Sequence, residues 1–268
     1  MTSPKNELKA RLDFASANIM PCAKLSLKWF NNASLTADHK SDGSPVTIAD
    51  KAIETEIRSR ISRAFPDDAI LGEEFDDKPG TNEYKWVIDP IDGTISFVQG
   101  IPLYGTMLAC LHNDTPVLGA IAMPCLDEMI YGATGLGAFH QNKLETPTKA
   151  QVSTTSKLNQ ALISTTSLTY YDTPELRHLY EQLDNASKHT RGFPDCYAIV
   201  LLATGRIDAV IEPNVQIWDI ASVPPIISEA GGISTDMHGN ATVDSNAIVA
   251  SAPELHPHLI ALTKSAIS

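Results

Sequence analysis

The stretch WVIDPIDGTISF (residues 86–97) sets an apolar run, Trp86-Val87-Ile88, against two aspartates three apart, Asp89 and Asp92, with Pro90 between them and Gly93-Thr94 behind. An apolar run followed by such polar density reads as a strand ending in a tight turn, stiffened by the proline so that both carboxylates face one side. Gly93 and Thr94 then read as a helix start, where backbone N–H groups without intrahelical partners suit an anion. Alone, the DPxD pattern is ordinary turn and capping chemistry. Carboxylates for a cation and amides for a phosphate within six residues point further, toward phosphoryl chemistry.

Two more acidic residues occupy comparable places. Glu73 follows the apolar stretch of AILGEE, and Asp219 opens a helix in IWDIAS. Hard oxygen ligands that converge on one point suit Mg²⁺ or Mn²⁺. The composition agrees. With a formal charge of −12 over 268 residues, the chain is a poor partner for nucleic acid or an anionic membrane, and to hold an anion it needs positive charge from elsewhere, a metal ion being one source. The 43% hydrophobic and 19% charged residues are those of an ordinary globular protein. Cys22, Cys110, Cys125 and Cys196 are scattered and form no CxxC pair, as expected of thiols in a reducing cytoplasm. The start of the sequence carries no apolar signal segment and no window approaches a membrane span, so a soluble, cytoplasmic protein is expected.

Around the central stretch, Leu8, Leu12, Ala15 and Ile19 recur at helical spacing, as do Ile53, Ile57, Ile61 and Phe65, which predicts two amphipathic helices. KSDGSPVTIAD between them reads as a loop or hairpin. From Trp86 to Ile130, short apolar runs broken by Gly, Pro, Asn and Asp predict a largely antiparallel sheet. A second alternation follows: strand ALISTTS, helix PELRHLYEQL, buried helix CYAIVLLATG, strand IDAVIEP, helix DIASVPPIISEAGG and strand NAIVAS. Layers of helix and sheet result. Two lobes of one unit, 1–150 and 151–268, are expected, with the seam near residues 145–160.

Four motifs in order, SPVTIAD (44–50), GEE (72–74), WVIDPIDGT (86–94) and WDIASVPPIISEAGG (218–232), resemble the inositol monophosphatase-like metal-dependent phosphatases over nearly the whole chain. The resemblance implies an α/β fold of the α+β kind, a layered α-β-α-β-α sandwich of the sugar-phosphatase type, as well as a homodimer and sensitivity to lithium. It implies two or three Mg²⁺ ions, or Mn²⁺. Glu73, Asp89 and the carbonyl of Ile91 would hold the first, and Asp89, Asp92 and Asp219 the second. It makes Asp50 and Thr94 the pair that positions and activates the attacking water. A threonine hydroxyl alone is too weak a base for that step. Ile91, Asp92, Gly93, Thr94 and Asp219 would also face the substrate, a small phosphorylated metabolite.

The leaving group is read from less specific residues. TRGFPDCYAIVLLATG (190–205) resembles the Arg-x-Gly-Gly-Asp-Cys-Tyr segment of histidinol-phosphate phosphatases, and Ser96 and Pro225 point the same way. Histidinol phosphate carries an ammonium and an imidazole, so its pocket needs carboxylates free of metal; Asp195 and Glu212 are the candidates, with Arg191 as a further substrate contact. The competing roles are a helix cap for Asp195, an exposed strand-end charge for Glu212 and a surface charge for Arg191. Phe193-Pro194 departs from the glycine pair, and Pro224-Pro225 falls inside an expected helix, where proline removes a donor. The alternatives are an inositol-1-phosphatase or a broad sugar-phosphate phosphatase and, in another class, a regulatory module without turnover.

Overall fold

The computed structural model describes residues 3–32, 38–39, 45–143 and 145–266. Helix α1 (Pro4–Ala23), the short paired strands β1 (Asp38–His39) and β2 (Pro45–Val46), and helix α2 (Ile48–Ala64) come first. Residues 40–44 of the expected hairpin, Ser44 of SPVTIAD included, lie outside the described residues. Next come β3 (Ala69–Gly72), β4 (Tyr84–Asp92), the short helix α3 (Thr94–Val98), β5 (Gly105–His112), β6 (Thr115–Met123), β7 (Glu128–Ala133), β8 (Gly137–Asn142) and β9 (Thr148–Lys149). Strands β3 to β9 form one sheet in sequence order, antiparallel except for the parallel pair β3–β4.

The second half comprises β10 (Leu162–Ser164), α4 (Pro174–Ala186), β11 (His189–Arg191), α5 (Asp195–Ala203), β12 (Ala209–Pro213), α6 (Ile217–Ile220), α7 (Val223–Glu229), β13 (Ile233–Thr235), β14 (Ala247–Ser251) and α8 (His256–Ala266). Its sheet has the order β11-β10-β12-β14-β13, with β11, β10 and β12 parallel. The parallel strands therefore end at the same edge. Helix DIASVPPIISEAGG is two helices rather than one: Pro224 and Pro225 lie in the first turn of α7, where a missing N–H costs nothing, and a turn at Ala221-Ser222 separates α6 from α7.

Strand alternation decides which core each residue joins. In β5, Leu108 and Cys110 face α1 and α2, while Met107 faces the core shared with α5 and α7. That second core lies between the sheets, and a third packs α4 and α8 on the outer face of the five-stranded sheet. The layers are thus α-β-α-β-α, as expected. Each fully buried Ile or Leu contributes roughly 1.5–3 kcal/mol. No helix among the described residues is long and apolar enough to cross a membrane.

One close approach seats the α6–α7 corner. A Cβ on Gly119 of β6 would lie 2.0 Å from the Ser222 carbonyl oxygen, so glycine lets that backbone rest directly on the sheet. A buried ion pair fastens α1 on the other face. Arg11 donates to both oxygens of Asp68, at 2.9 and 2.7 Å, and Asp68 also accepts from Trp86 Nε1 and Asn82 Nδ2, while the guanidinium lies 3.5 Å over the Tyr84 ring. Both partners are more than nine-tenths buried, so removing one strands the other's charge. Asp68→Ala should cost about 3–5 kcal/mol in chemical denaturation with an unchanged m-value. A loss under about 1 kcal/mol would mean that the pair does not fasten α1.

Candidate active site

Asp89 and Asp92 do not flank a turn after a strand; both lie in β4. In a regular strand, residues three apart point to opposite faces. Here Asp89 pairs with Met107 and Asp92 with Gly105, so three steps on β4 match two on β5. The extra residue is a β-bulge, and it reverses the parity so that both carboxylates emerge on one side. Pro90 belongs there because it has no N–H to give the ladder, and its carbonyl is held by Thr106 Oγ1 at 2.7 Å. Just beyond, Gly93 has φ of 87°, and a Cβ on it would meet Asp195 Oδ2 at 2.7 Å. Both the turn into α3 and the neighbouring carboxylate require glycine.

Asp219 reaches the same point from the other half. It sits in the single-turn helix α6, where its Oδ2 accepts from Gln216 N at 2.7 Å. Trp218 and Ile217 pack with Leu71 against Val87, Ala109, Leu111 and Ala221, which holds the turn against β4 and β5. Asp89, Asp92 and Asp219 each bring an oxygen within 4.8 Å of the others. Glu73 follows β3 in parallel register with β4, its N–H bonded to the Ile88 carbonyl at 3.3 Å. Burial first, and then the Glu73 charge, push the Asp89 carboxyl well above its usual range. Burial and the Asp195 charge do the same to Asp92. Asp89 is 2% exposed, and its Oδ1 has no hydrogen-bond partner. Three converging carboxylates, Asp89 buried and Asp92 and Asp219 partly so, with an unpartnered oxygen on Asp89, fit a hard divalent cation.

Asp50 is on the third residue of α2, buried, with Oδ2 accepting from Thr47 N at 2.7 Å and Thr47 Oγ1 at 2.6 Å in a capping box. Burial pushes its carboxyl up to about 6 despite those hydrogen bonds. Thr94 Oγ1 donates to the Ile91 carbonyl at 3.0 Å. Asp50 is near enough to Asp89 to raise its pKa, but no hydrogen bond joins Asp50 to Thr94: each is held by a partner of its own, Thr47 for Asp50 and the Ile91 carbonyl for Thr94.

Asp195 and Glu212 line one cavity with Asp92 and Asp219. They come from the C-terminal edge of the parallel strands, where α/β sheets open a crevice. Neither takes its competing role. Asp195 is the first residue of α5 in the left-handed region, φ 51°, and the N–H of Cys196 is capped by Asp92 Oδ2 instead. Glu212 is 8% exposed; its Oε1 accepts from Thr166 N at 2.6 Å and Thr166 Oγ1 at 2.9 Å, and its Oε2 is buried without a partner. Burial lifts Asp195 to about 6 and Glu212 to about 8. Arg191 is exposed, donates to the Thr190 carbonyl at 2.7 Å and does not line this cavity. Thr166 and Tyr170, which do line it, were missed by the sequence reading. ALISTTS reads as strand throughout, whereas β10 ends at Ser164, so the hydroxyl residue two past its end was the available signal for Thr166; Tyr170 offered none.

These shifts have a sign that can be tested. A carboxyl with a folded pKa above its unfolded value stabilises the fold fully below the unfolded value, about pH 4, and loses that contribution as pH rises through the folded one. For Asp50 and Asp195 that is about 6, and for Glu212 about 8. Chelator-treated protein should therefore melt higher near pH 5.5 than near pH 8, and Mg²⁺ should raise Tm more at the higher pH. Equal Mg²⁺ shifts at both pH values, or a full shift retained in Asp89→Asn, would contradict the cation fit.

The sequence profile of the Inositol monophosphatase family matches residues 9–268. A histidinol-phosphatase from Chlorobaculum parvum is 38% identical over 239 residues, 89% of this chain and 90% of that one. A histidinol-phosphatase from Mycobacterium tuberculosis is 34% identical over 86% of this chain and 89% of its own. Among solved structures, the extragenic suppressor protein suhB from Bartonella henselae superposes with a TM-score of 0.87 at 25% identity, over 95% of this chain and 98% of that one. With the fold, the ordered motifs and the carboxylate cluster in agreement, the chain belongs to the inositol monophosphatase family and is a phosphoric monoester hydrolase.

Proposed function

We propose that the chain is a Mg²⁺-dependent histidinol-phosphatase that releases histidinol and phosphate in histidine biosynthesis, acting as a cytoplasmic homodimer with lobes 1–150 and 151–268 sharing the site. The observation that carries the substrate is the pair Asp195 and Glu212, two carboxyls beyond the Asp89-Asp92-Asp219 group that line the same cavity, one with an unpartnered buried oxygen. Inositol phosphate has no positive charge for them; histidinol phosphate has an ammonium and a titratable imidazole. A cation beside each carboxyl would bring its pKa down and draw the pair into charge-assisted hydrogen bonds.

Glu73, Asp89, Asp92, Asp219 and the Ile91 carbonyl would hold the divalent ions, two or three of Mg²⁺ or Mn²⁺. When bound, these offset the charge of the phosphoryl oxygens and acidify water. The chain's own residues do the rest. Gly93 and Thr94, at the start of α3, offer backbone N–H groups to the phosphate. Asp50 would take the proton of the attacking water, and Thr94 Oγ1, which donates to the Ile91 carbonyl, would turn from it to pass that proton on. Asp195 and Glu212 orient the leaving group, and the apolar walls of Ile199, Val210 and Ile220 limit water around them.

Losing a charge-assisted hydrogen bond costs about 1.5–3 kcal/mol, or roughly 10- to 150-fold. Asp195→Asn should therefore lower kcat/KM for histidinol phosphate by roughly 10- to 100-fold and for inositol 1-phosphate by less than about threefold. Equal losses on both substrates, or a wild-type preference for inositol 1-phosphate, would sink this substrate and favour the inositol-1-phosphatase or broad sugar-phosphatase reading.

A further inference from the structure

Glu54 lies one helical turn after Asp50 on α2, so the two side chains share the face turned toward β4. Asp50 stands beside the carboxylate cluster, but Glu54 points at the chain rather than into the cavity. It is fully buried, and its two oxygens have separate partners. Oε2 accepts from the backbone N–H of Glu74 at 2.8 Å, and Oε1 accepts from Arg58 Nε at 2.7 Å. Arg58, one further turn along, passes its remaining donors to the same loop: Nη2 to the Phe75 carbonyl at 2.9 Å and Nη1 to the Asp76 carbonyl at 3.0 Å. One carboxylate and one guanidinium thus grip three consecutive residues, 74, 75 and 76.

The residue immediately before this grip is Glu73. On its other side Gly72 is the last residue of β3, paired with Ile88, and the Glu73 N–H bonds to the Ile88 carbonyl. Gly72 also makes the grip possible, since a Cβ there would lie 2.0 Å from Glu54 Oε1 and 2.8 Å from Arg58 Nη2. Glu73 is therefore fixed from both ends, by the sheet before it and by the α2 pair after it, next to Asp89.

A surface role does not explain this arrangement. On the same helix Arg60 Nε and Glu56 Oε1 form an ion pair of the same spacing at 2.7 Å, but with half-exposed side chains and with Asn18 of α1 as the further partner. Helix surfaces gain only about 0.2–0.5 kcal/mol from such pairs. Glu54 is instead fully buried, so its oxygens must be matched, and its partners are the Glu74 N–H and a partly buried Arg58 whose other donors go to the loop that carries Glu73.

We infer that Glu54 and Arg58 are positioning residues for Glu73, setting the affinity of the cation site without contacting cation or substrate. The inference rests on the reading of Glu73 as a cation ligand. Residues that orient ligands typically change metal affinity by roughly 10- to 100-fold when replaced.

The test is Mg²⁺ binding by isothermal titration calorimetry to the full chain, with activity as a second readout. Glu54→Gln keeps the shape, but its amide donates where the carboxylate accepted, so either the Glu74 N–H or Arg58 loses its acceptor. Mg²⁺ affinity should fall by roughly tenfold or more, while kcat at saturating Mg²⁺ stays within about threefold of wild type. Glu56→Gln removes the same charge from the same helix and should leave Mg²⁺ affinity unchanged. Should Glu54→Gln fail to fold, Arg58→Lys carries the test: lysine keeps the charge beside Glu54 but lacks the fork for two carbonyls, and an affinity loss of at least several-fold is expected. Unchanged affinity in a folded Glu54→Gln or Arg58→Lys protein, or an equal loss in Glu56→Gln, would overturn the inference. Wild-type protein that binds no Mg²⁺ would instead overturn the reading of Glu73 as a ligand, a different and distinguishable failure.

Discussion

An extra residue in β4, between Asp89 and Asp92, sets the parity on which the rest of the site depends. Without it Asp89 and Asp92 would leave the sheet on opposite faces, and no arrangement of the second half could bring both to Asp219. With it, the same face carries Asp89, Asp92 and the turn into α3, so the oxygens that would hold a cation and the backbone N–H groups come from one short stretch. The bulge is tolerated because proline asks nothing of the ladder and Thr106 takes up the freed carbonyl.

The remaining parts bring acid to that face and keep water from it. Helix α6 is held by the small core around Trp218, and the α6–α7 corner sits on Gly119, which fixes Asp219. Asp92 has a second duty: its Oδ2 caps the N–H of Cys196, so the residue that faces Asp89 and Asp219 also seats the helix that carries Asp195. The carboxylate cluster and the cavity lined by Asp195 and Glu212 therefore share two side chains, Asp92 and Asp219. Burial first, and then the repulsion of the neighbouring acids, push the carboxyls of Asp89 and Asp92 upward. Divalent cations and a cationic leaving group would relieve that repulsion, which ties the proposed metal and the proposed substrate to one electrostatic cause.

Much of this was legible in the sequence, and the exceptions have physical reasons. The helices α1 and α2 declared themselves through their 3.6-residue spacing, and Glu73, Asp89, Asp92 and Asp219 through motifs that place acids at the ends of apolar runs. The bulge was not legible, because register is a property of two strands and β5 gives no sign of a missing residue. Glu212 read equally well as an exposed charge, since IDAVIEP does not say that helices cover both faces of β12; the structure buries it. Arg11 and Asp68 are 57 residues apart in sequence, and Thr166 and Glu212 are 46 apart, so neither pairing has a local trace. Glu54 was visible as a residue four after Asp50, but its spacing to Arg58 is that of any helix-surface pair. Only the position of the loop 74–76 gives it a purpose.

The proposed cation site is where fold, charge and chemistry meet, and locating an ion there directly is the most searching measurement. Crystals grown with Mn²⁺ and measured at the manganese absorption edge should show an anomalous peak bonded to Asp89 and to at least one of Glu73, Asp92 and Asp219. A peak that leaves Asp89 without a bond, or no peak among these carboxylates at millimolar Mn²⁺, would contradict the account at its centre.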